Sequence, residues 1–163
     1  MERTAPLQIL RFSLADQHYA FDVLKTREVL SLVKITPLPS SLDFLSGVIN
    51  LRGSVIPVVD LRLKFGLEAV EATVDTSIVI LEAQSGGETT VIGAVVDMVK
   101  GVSGCDPGEL EPPPKFGMPL NSALIQFIAK KDGEFVVVLD SDKVFSENEL
   151  WNIQAQVGAE AAL

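Results

Sequence analysis

The sequence predicts an all-β fold with little helix. Short runs alternate apolar with polar or small residues, two-residue turn signals separate many of those runs, and the two halves of the chain repeat one β unit.

Alternation places the first strands at Leu7–Leu14 and His18–Phe21, joined through Ala15-Asp16, and a third at Glu28–Val33. Val48–Leu51 and Val55–Val59 flank Arg52-Gly53, where glycine permits a positive φ, so Arg52 is held at the tip of a tight hairpin. Asn50, beside that turn, is placed to bond its own hairpin backbone. Ser77–Leu81 and Thr89–Val96 lie on either side of Gly86-Gly87, Val99–Ser103 follows, and Leu124–Ala129 and Glu134–Leu139 flank Asp132-Gly133. These ten short strands suit two small barrels. Pro57 cannot donate to a ladder and is expected at an edge or a bulge.

The repeat is clearest when Gly53 is set over Gly133: GSVIPVVDLRLKF then matches GEFVVVLDSDKVF. A weaker match sets AFDVLK from Ala20 beside GAVVDM from Gly93. Subdomains of about 15–80 and 81–145, with terminal strands exchanged or shared, are the expected division. A C-terminal helix is expected over 146–158, with Ser146 and Glu149 forming a capping box and Leu150, Ile153 and Val157 on one face. Trp151 would be buried there or partly exposed, and the residues after Gly158 would fray.

At 163 residues and 47% hydrophobic composition the chain fits one ordinary domain. Its longest apolar runs, such as Phe135 to Leu139, fall far short of the roughly 20 residues of a membrane span. No basic segment feeds an apolar stretch at the N-terminus, which predicts a cytoplasmic location. A net charge of −9 argues against nonspecific nucleic-acid binding. The charge is uneven, at +2 over residues 1–66 and −11 over residues 67–163.

Catalytic sets are missing in kind. His18 is the only histidine, expected on an exposed hairpin position, and Cys105 the only cysteine, read as a loop thiol between Gly104 and Pro107. Asp60 and Asp140 occupy equivalent places in the repeat and raise the alternative of a divergent hydrolase. Their flanks, Asp60-Leu61-Arg62 and Asp140-Ser141-Asp142, favour carboxylates that cap short helical turns. No phosphate loop, metal ligand set or cofactor motif is present. The proline-rich segment from Cys105 to Asn121 reads as an ordered loop in which Phe116 is either an anchor or a partner contact.

The composite of TPLP from Thr36, GVINLRG from Gly47 and IPVVDL from Ile56 resembles the CheW-like domain of bacterial chemotaxis coupling proteins. ILRFSLADQHYAFDV from Ile9, Arg27-Glu28-Val29, VIGAVVDMVKGV from Val91 and EFVVVLDSDKVF from Glu134 extend the resemblance to nearly the whole chain. It implies two five-stranded SH3-like barrels and a noncatalytic adaptor, without cofactor, that links the cytoplasmic tip of a chemoreceptor to the regulatory domain of the histidine kinase CheA. A scaffold of a non-flagellar chemosensory pathway is the related alternative. The resemblance places a receptor groove at Leu10, Val23, Thr26, Glu28, Val29 and Val99, kinase docking at Ile35, Pro37, Gly47 and Arg52, and an array contact near Phe116. Glu28 and Arg52 are expected to be able to pair.

Overall fold

A computed structural model describes residues 6–40, 42–114 and 122–161. The strands are β1 (Leu7–Leu14), β2 (Gln17–Asp22), β3 (Thr26–Ser31), β4 (Leu45–Leu51), β5 (Ser54–Asp60), β6 (Ser77–Ser85), β7 (Glu88–Val96), β8 (Met98–Cys105), β9 (Leu110–Glu111), β10 (Ile125–Lys131) and β11 (Glu134–Leu139). A short helix α1 (Leu61–Lys64) follows β5, and α2 (Glu147–Ala161) follows β11. One sheet runs β8-β1-β2-β11-β10-β9 and the other β3-β6-β7-β5-β4.

All four turn pairs form as expected: Ala15-Asp16, Arg52-Gly53, Gly86-Gly87 and Asp132-Gly133 each carry two positive φ values. That is the twist a two-residue hairpin needs to match its strands.

The repeat reaches beyond the hairpins. β5 runs parallel to β7 with Val58 opposite Gly93, and β11 runs parallel to β2 with Val138 opposite Ala20. Gly53 over Gly133 therefore carries Ala20 over Gly93, the pairing expected from the weaker sequence match. Sheet membership does not follow the halves of the chain, however. A division at residue 80 falls inside β6, whereas the sheets change hands between Asp22 and Thr26 and between Val96 and Met98.

Period-two burial explains the apolar runs. On β11, Val137 and Leu139 enter the large core between the sheets, while Val136 and Val138 join Leu7, Ile9, Ala20 and Ala129 in a smaller core inside one curl. On the other sheet Val79 and Leu81 face the shared core, and Ile78 and Ile80 face a second small core with Ile49, Ile56 and Val58. A strand buried on both faces has no need for polar alternation. The two aspartates cap as expected: Asp60 Oδ1 accepts from Arg62 N at 2.9 Å and Asp140 Oδ1 from Asp142 N at 3.0 Å.

Several expectations are corrected. Cys105 is not a loop thiol but the last residue of β8, fully buried among Leu7, Ile9 and Val138. Pro57 sits within an interior strand. Val48 opposite it turns both backbone groups outward to Thr36, and pairing of β5 with β7 begins only at Val58, so the missing N–H leaves no ladder bond unmade. His18 is half-buried, its Nε2 3.4 Å from Glu134. β3 stops at Ser31, leaving Leu32 and Val33 exposed beyond the sheet. The capping box at Ser146 and Glu149 forms, but α2 runs through Gly158 to Ala161. Trp151 is 65% exposed.

Candidate functional site

The shared core opens at two edge strands. β8 and β3 begin their respective sheets, and the single 3-10 turn Val23–Lys25 between β2 and β3 touches β1, β3 and β6. Asp22 Oδ1 caps that turn by accepting from Leu24 N, and Thr26 Oγ1 donates to Val23 O at 2.9 Å. Leu10 is buried in the shared core, with Val23 and Val99 packed against it. Val29 lies opposite Val79, and Val102 opposite Leu10. Both partners belong to the shared core, so each valine sits on the core-facing side of its edge strand. Val29 is 41% and Val102 59% exposed, and Leu24 stands clear of the turn.

Leu10, Val23 and Val99 therefore belong to or pack on the shared core, and Val29 and Thr26 lie opposite its residues Val79 and Leu81. Leu24 and Val102 are additional members that sequence reasoning misses. Strict alternation puts Val99 and Val102 on opposite faces, but the pairing of β1 with β8 slips between Arg11 and Phe12, and Gly101 has φ +113. A glycine inside a strand pattern was the available sign of that bulge.

Glu28 lies elsewhere, on the opposite face of β3. It pairs with Ile80, a residue of the smaller core. Arg52 Nη2 donates to Glu28 Oε1 at 2.6 Å, joining the tip of the β4–β5 hairpin to the far strand of the same five-stranded sheet. Asn50 Oδ1 holds Gly53 N at 2.9 Å, which fixes the turn bearing the arginine. Ile56, Ile80, Val91 and Leu51 line a depression of about 400 Å3 beneath the pair. The ion pair thus lies on the rim of this depression while keeping the Arg52 side chain 71% exposed.

Ile35, Pro37 and Gly47 form a third locus. Thr36 bridges to Val48 through both backbone groups, laying the Ile35–Pro37 segment beside β4. Ile35 packs on the smaller core and Pro37 is exposed. Gly47 is buried beneath this crossing with φ +150, and a Cβ there would lie 2.0 Å from Thr36 O. Phe116 lies outside the described residues.

The sheets are tied by polar clamps. Arg62 grips Asp60 with Nε and Nη2, both at 3.0 Å, and Asp97 with Nη1 at 3.1 Å. Asp97 in turn accepts from Ala15 N of the β1–β2 turn at 2.8 Å. The hydrogen bonds to Asp60 raise the Arg62 pKa further above its already high ordinary value, so the guanidinium stays charged although nearly buried. Burial likewise raises the Tyr19 and Cys105 pKa values. Among the described residues no three His, Cys, Asp or Glu side chains could hold a metal ion, and no helix is long and apolar enough to cross a membrane.

Two barrel-like sheets around a shared core, with an apolar opening on one side and a charged hairpin on another, define a double-barrel scaffold. Residues 8–149 match the CheW-like domain, and the chain belongs to that family. It is similar to the chemotaxis protein CheW of Thermotoga maritima, 34% identical over 143 residues that cover 86% of this chain and 88% of the relative. The chemotaxis protein CheW of Klebsiella aerogenes is 29% identical, covering 90% and 86%. The crystal structure of the scaffolding protein TtCheW from Thermoanaerobacter tengcongensis superposes with a TM-score of 0.78 at 35% identity, covering 88% of this chain and 95% of that one.

Proposed function

We propose that this protein is a noncatalytic adaptor that joins the cytoplasmic tip of a chemoreceptor to the regulatory domain of the histidine kinase CheA, working in the cytoplasm at receptor clusters. The carrying observation is the apolar opening: Val29, Val102 and Leu24 are exposed around the buried Leu10, an arrangement that accepts the aliphatic side of a helical hairpin. The kinase surface is assigned to Ile35, Pro37 and the Arg52 hairpin on the barrel of β3–β7, with Gly47 holding the Ile35–Pro37 segment in place. Phe116 is proposed as a contact of extended arrays.

Each sheet with its own small core is read as one subdomain, and the shared core fixes the angle between the two surfaces. An adaptor of this kind needs no chemistry of its own. Asp60 is engaged as the cap of α1 and Asp140 as the cap of the turn after β11, which favours this reading over hydrolysis.

Copurification tests it. Tagged wild-type protein should retain both a receptor tip fragment and the kinase regulatory domain. Val102→Asp should lose the receptor fragment and keep the kinase domain, since Val102 is exposed and its replacement leaves the core intact. Retention of both partners by Val102→Asp would remove the groove from the account.

A further inference from the structure

A second surface, remote in kind from the groove and the hairpin, lies where α2 meets the β6–β7 turn. Glu147, Leu150, Trp151 and Gln154 of α2 face Ser85, Gly86, Glu88 and Thr90 across a depression of about 210 Å3. The helical positions are three and four apart, so they share one stripe of α2. Leu150 anchors the floor in the shared core, while Trp151 remains 65% exposed at the rim.

The charged groups of the lining are both carboxylates, Glu88 and Glu147. Gln154 donates its Nε2 to Thr90 Oγ1 at 2.6 Å, and its amide oxygen has no partner among the described residues. The carboxylates of Glu88 and Glu147 have no ion-pair or hydrogen-bond partner among the described residues, unlike Glu82 and Glu149, which pair with Arg27 and Lys64. Neither Lys, Arg nor His lines the depression. An exposed indole beside two carboxylates unpaired among the described residues is matched by a planar cation rich in donors. A guanidinium can stack on the ring and donate on both sides, whereas an ammonium is a point charge with fewer directed donors. The −11 charge of residues 67–163 adds long-range attraction for a basic partner.

We infer that this depression is an interaction site for an arginine side chain presented by a partner protein, held between Trp151, Glu88 and Glu147.

Trp151 is the only tryptophan, so selectively excited tryptophan emission reports on this site alone. The probe is a short peptide with one internal arginine and capped ends, titrated into the full chain, with the lysine peptide as comparison. The expected result is a saturable change in Trp151 emission, weaker for lysine. Glu88→Gln should lower the apparent affinity about tenfold, the scale of one charge-assisted hydrogen bond, with far-UV circular dichroism unchanged. Glu88 lies in the hairpin, so this variant leaves the helix N-terminus untouched, and Glu147→Gln serves as the second variant. An emission change that does not saturate, or that is equal in wild type and both variants, would overturn the proposal. Emission that shifts with protein concentration and no peptide would assign the depression to a second copy of the chain instead.

Discussion

Arg62 and Asp142 occupy the same place in the two halves of the chain, two residues beyond the capping aspartates Asp60 and Asp140, and they carry opposite charges. Arg62 reaches Ala15 N through Asp97, whereas Asp142 accepts directly from Gln84 N at 2.8 Å and from Lys25 Nζ at 3.1 Å. Each half therefore pins a hairpin of the opposite sheet at or near its turn, one through a cation and a relaying carboxylate, the other through a carboxylate alone.

Arg62→Ala strips the partner from Asp60, which is 7% exposed. Breaking a buried pair in this way costs about 3–5 kcal/mol. Urea unfolding should show that loss, and Asp97→Ala, which spares the bidentate grip on Asp60, should cost less. Equal stability of Arg62→Ala and wild type would contradict the clamp.

Gly47 and Gly53 should respond differently to alanine. Nothing lies within 4 Å of a Cβ built at Gly53, so Gly53→Ala pays chiefly for its left-handed backbone, about 1–2 kcal/mol. At Gly47 the new atom meets Thr36 O, so the Thr36–Val48 bridge must open as well. Gly47→Ala should be the more destabilised of the two by thermal melting, and amide exchange at Thr36 and Val48 should rise.

Much of this was legible in the sequence because it is local. Positive-φ turns need Gly, Asn or Asp at fixed offsets, and two-residue hairpins set the strand register around them. Asp60 and Asp140 read as caps from their flanks alone. What was not legible depends on neighbours far along the chain. Cys105 reads as loop because Gly104 and Pro107 surround it, yet pairing with Leu7 draws it into a core. Val102 turns to the core-facing side of β8 only through the bulge at Gly101, and the ownership of β6 and β7 is set by parallel pairing that no local pattern announces.

Burial raises the Cys105 pKa, so the folded state keeps its thiol proton to higher pH than the unfolded chain does. Stability from this group is therefore unchanged below the ordinary thiol pKa and falls as pH rises above it. Cys105→Ala should flatten that alkaline decline in denaturant titrations. In native protein, a thiol reagent should react only at the rate of opening, and far faster once urea is added.

Glu109 behaves oppositely. The backbone hydrogen bond from Asp106 N, 2.9 Å from Oε1, lowers its pKa, with Lys131 adding to the effect. Its contribution is full above the ordinary glutamate pKa and lost as pH falls through the lowered folded value. Glu109→Gln should reduce the acid-dependent part of stability and loosen the turn from Asp106 to Glu109, read as faster amide exchange at Asp106.

The central claim is that one folded chain bridges receptor and kinase, with the Arg52 hairpin essential to the bridge and dispensable to the fold. An exposed pair such as Arg52–Glu28 contributes about 0–1 kcal/mol to stability. The most direct measurement is kinase autophosphorylation in a mixture of receptor fragment, CheA and this protein, wild type against Arg52→Glu, with urea unfolding of both. The account predicts receptor-dependent control of the kinase by wild type and its loss in Arg52→Glu, with stabilities within about 1 kcal/mol of each other. Undiminished coupling by a fully folded Arg52→Glu protein would contradict it.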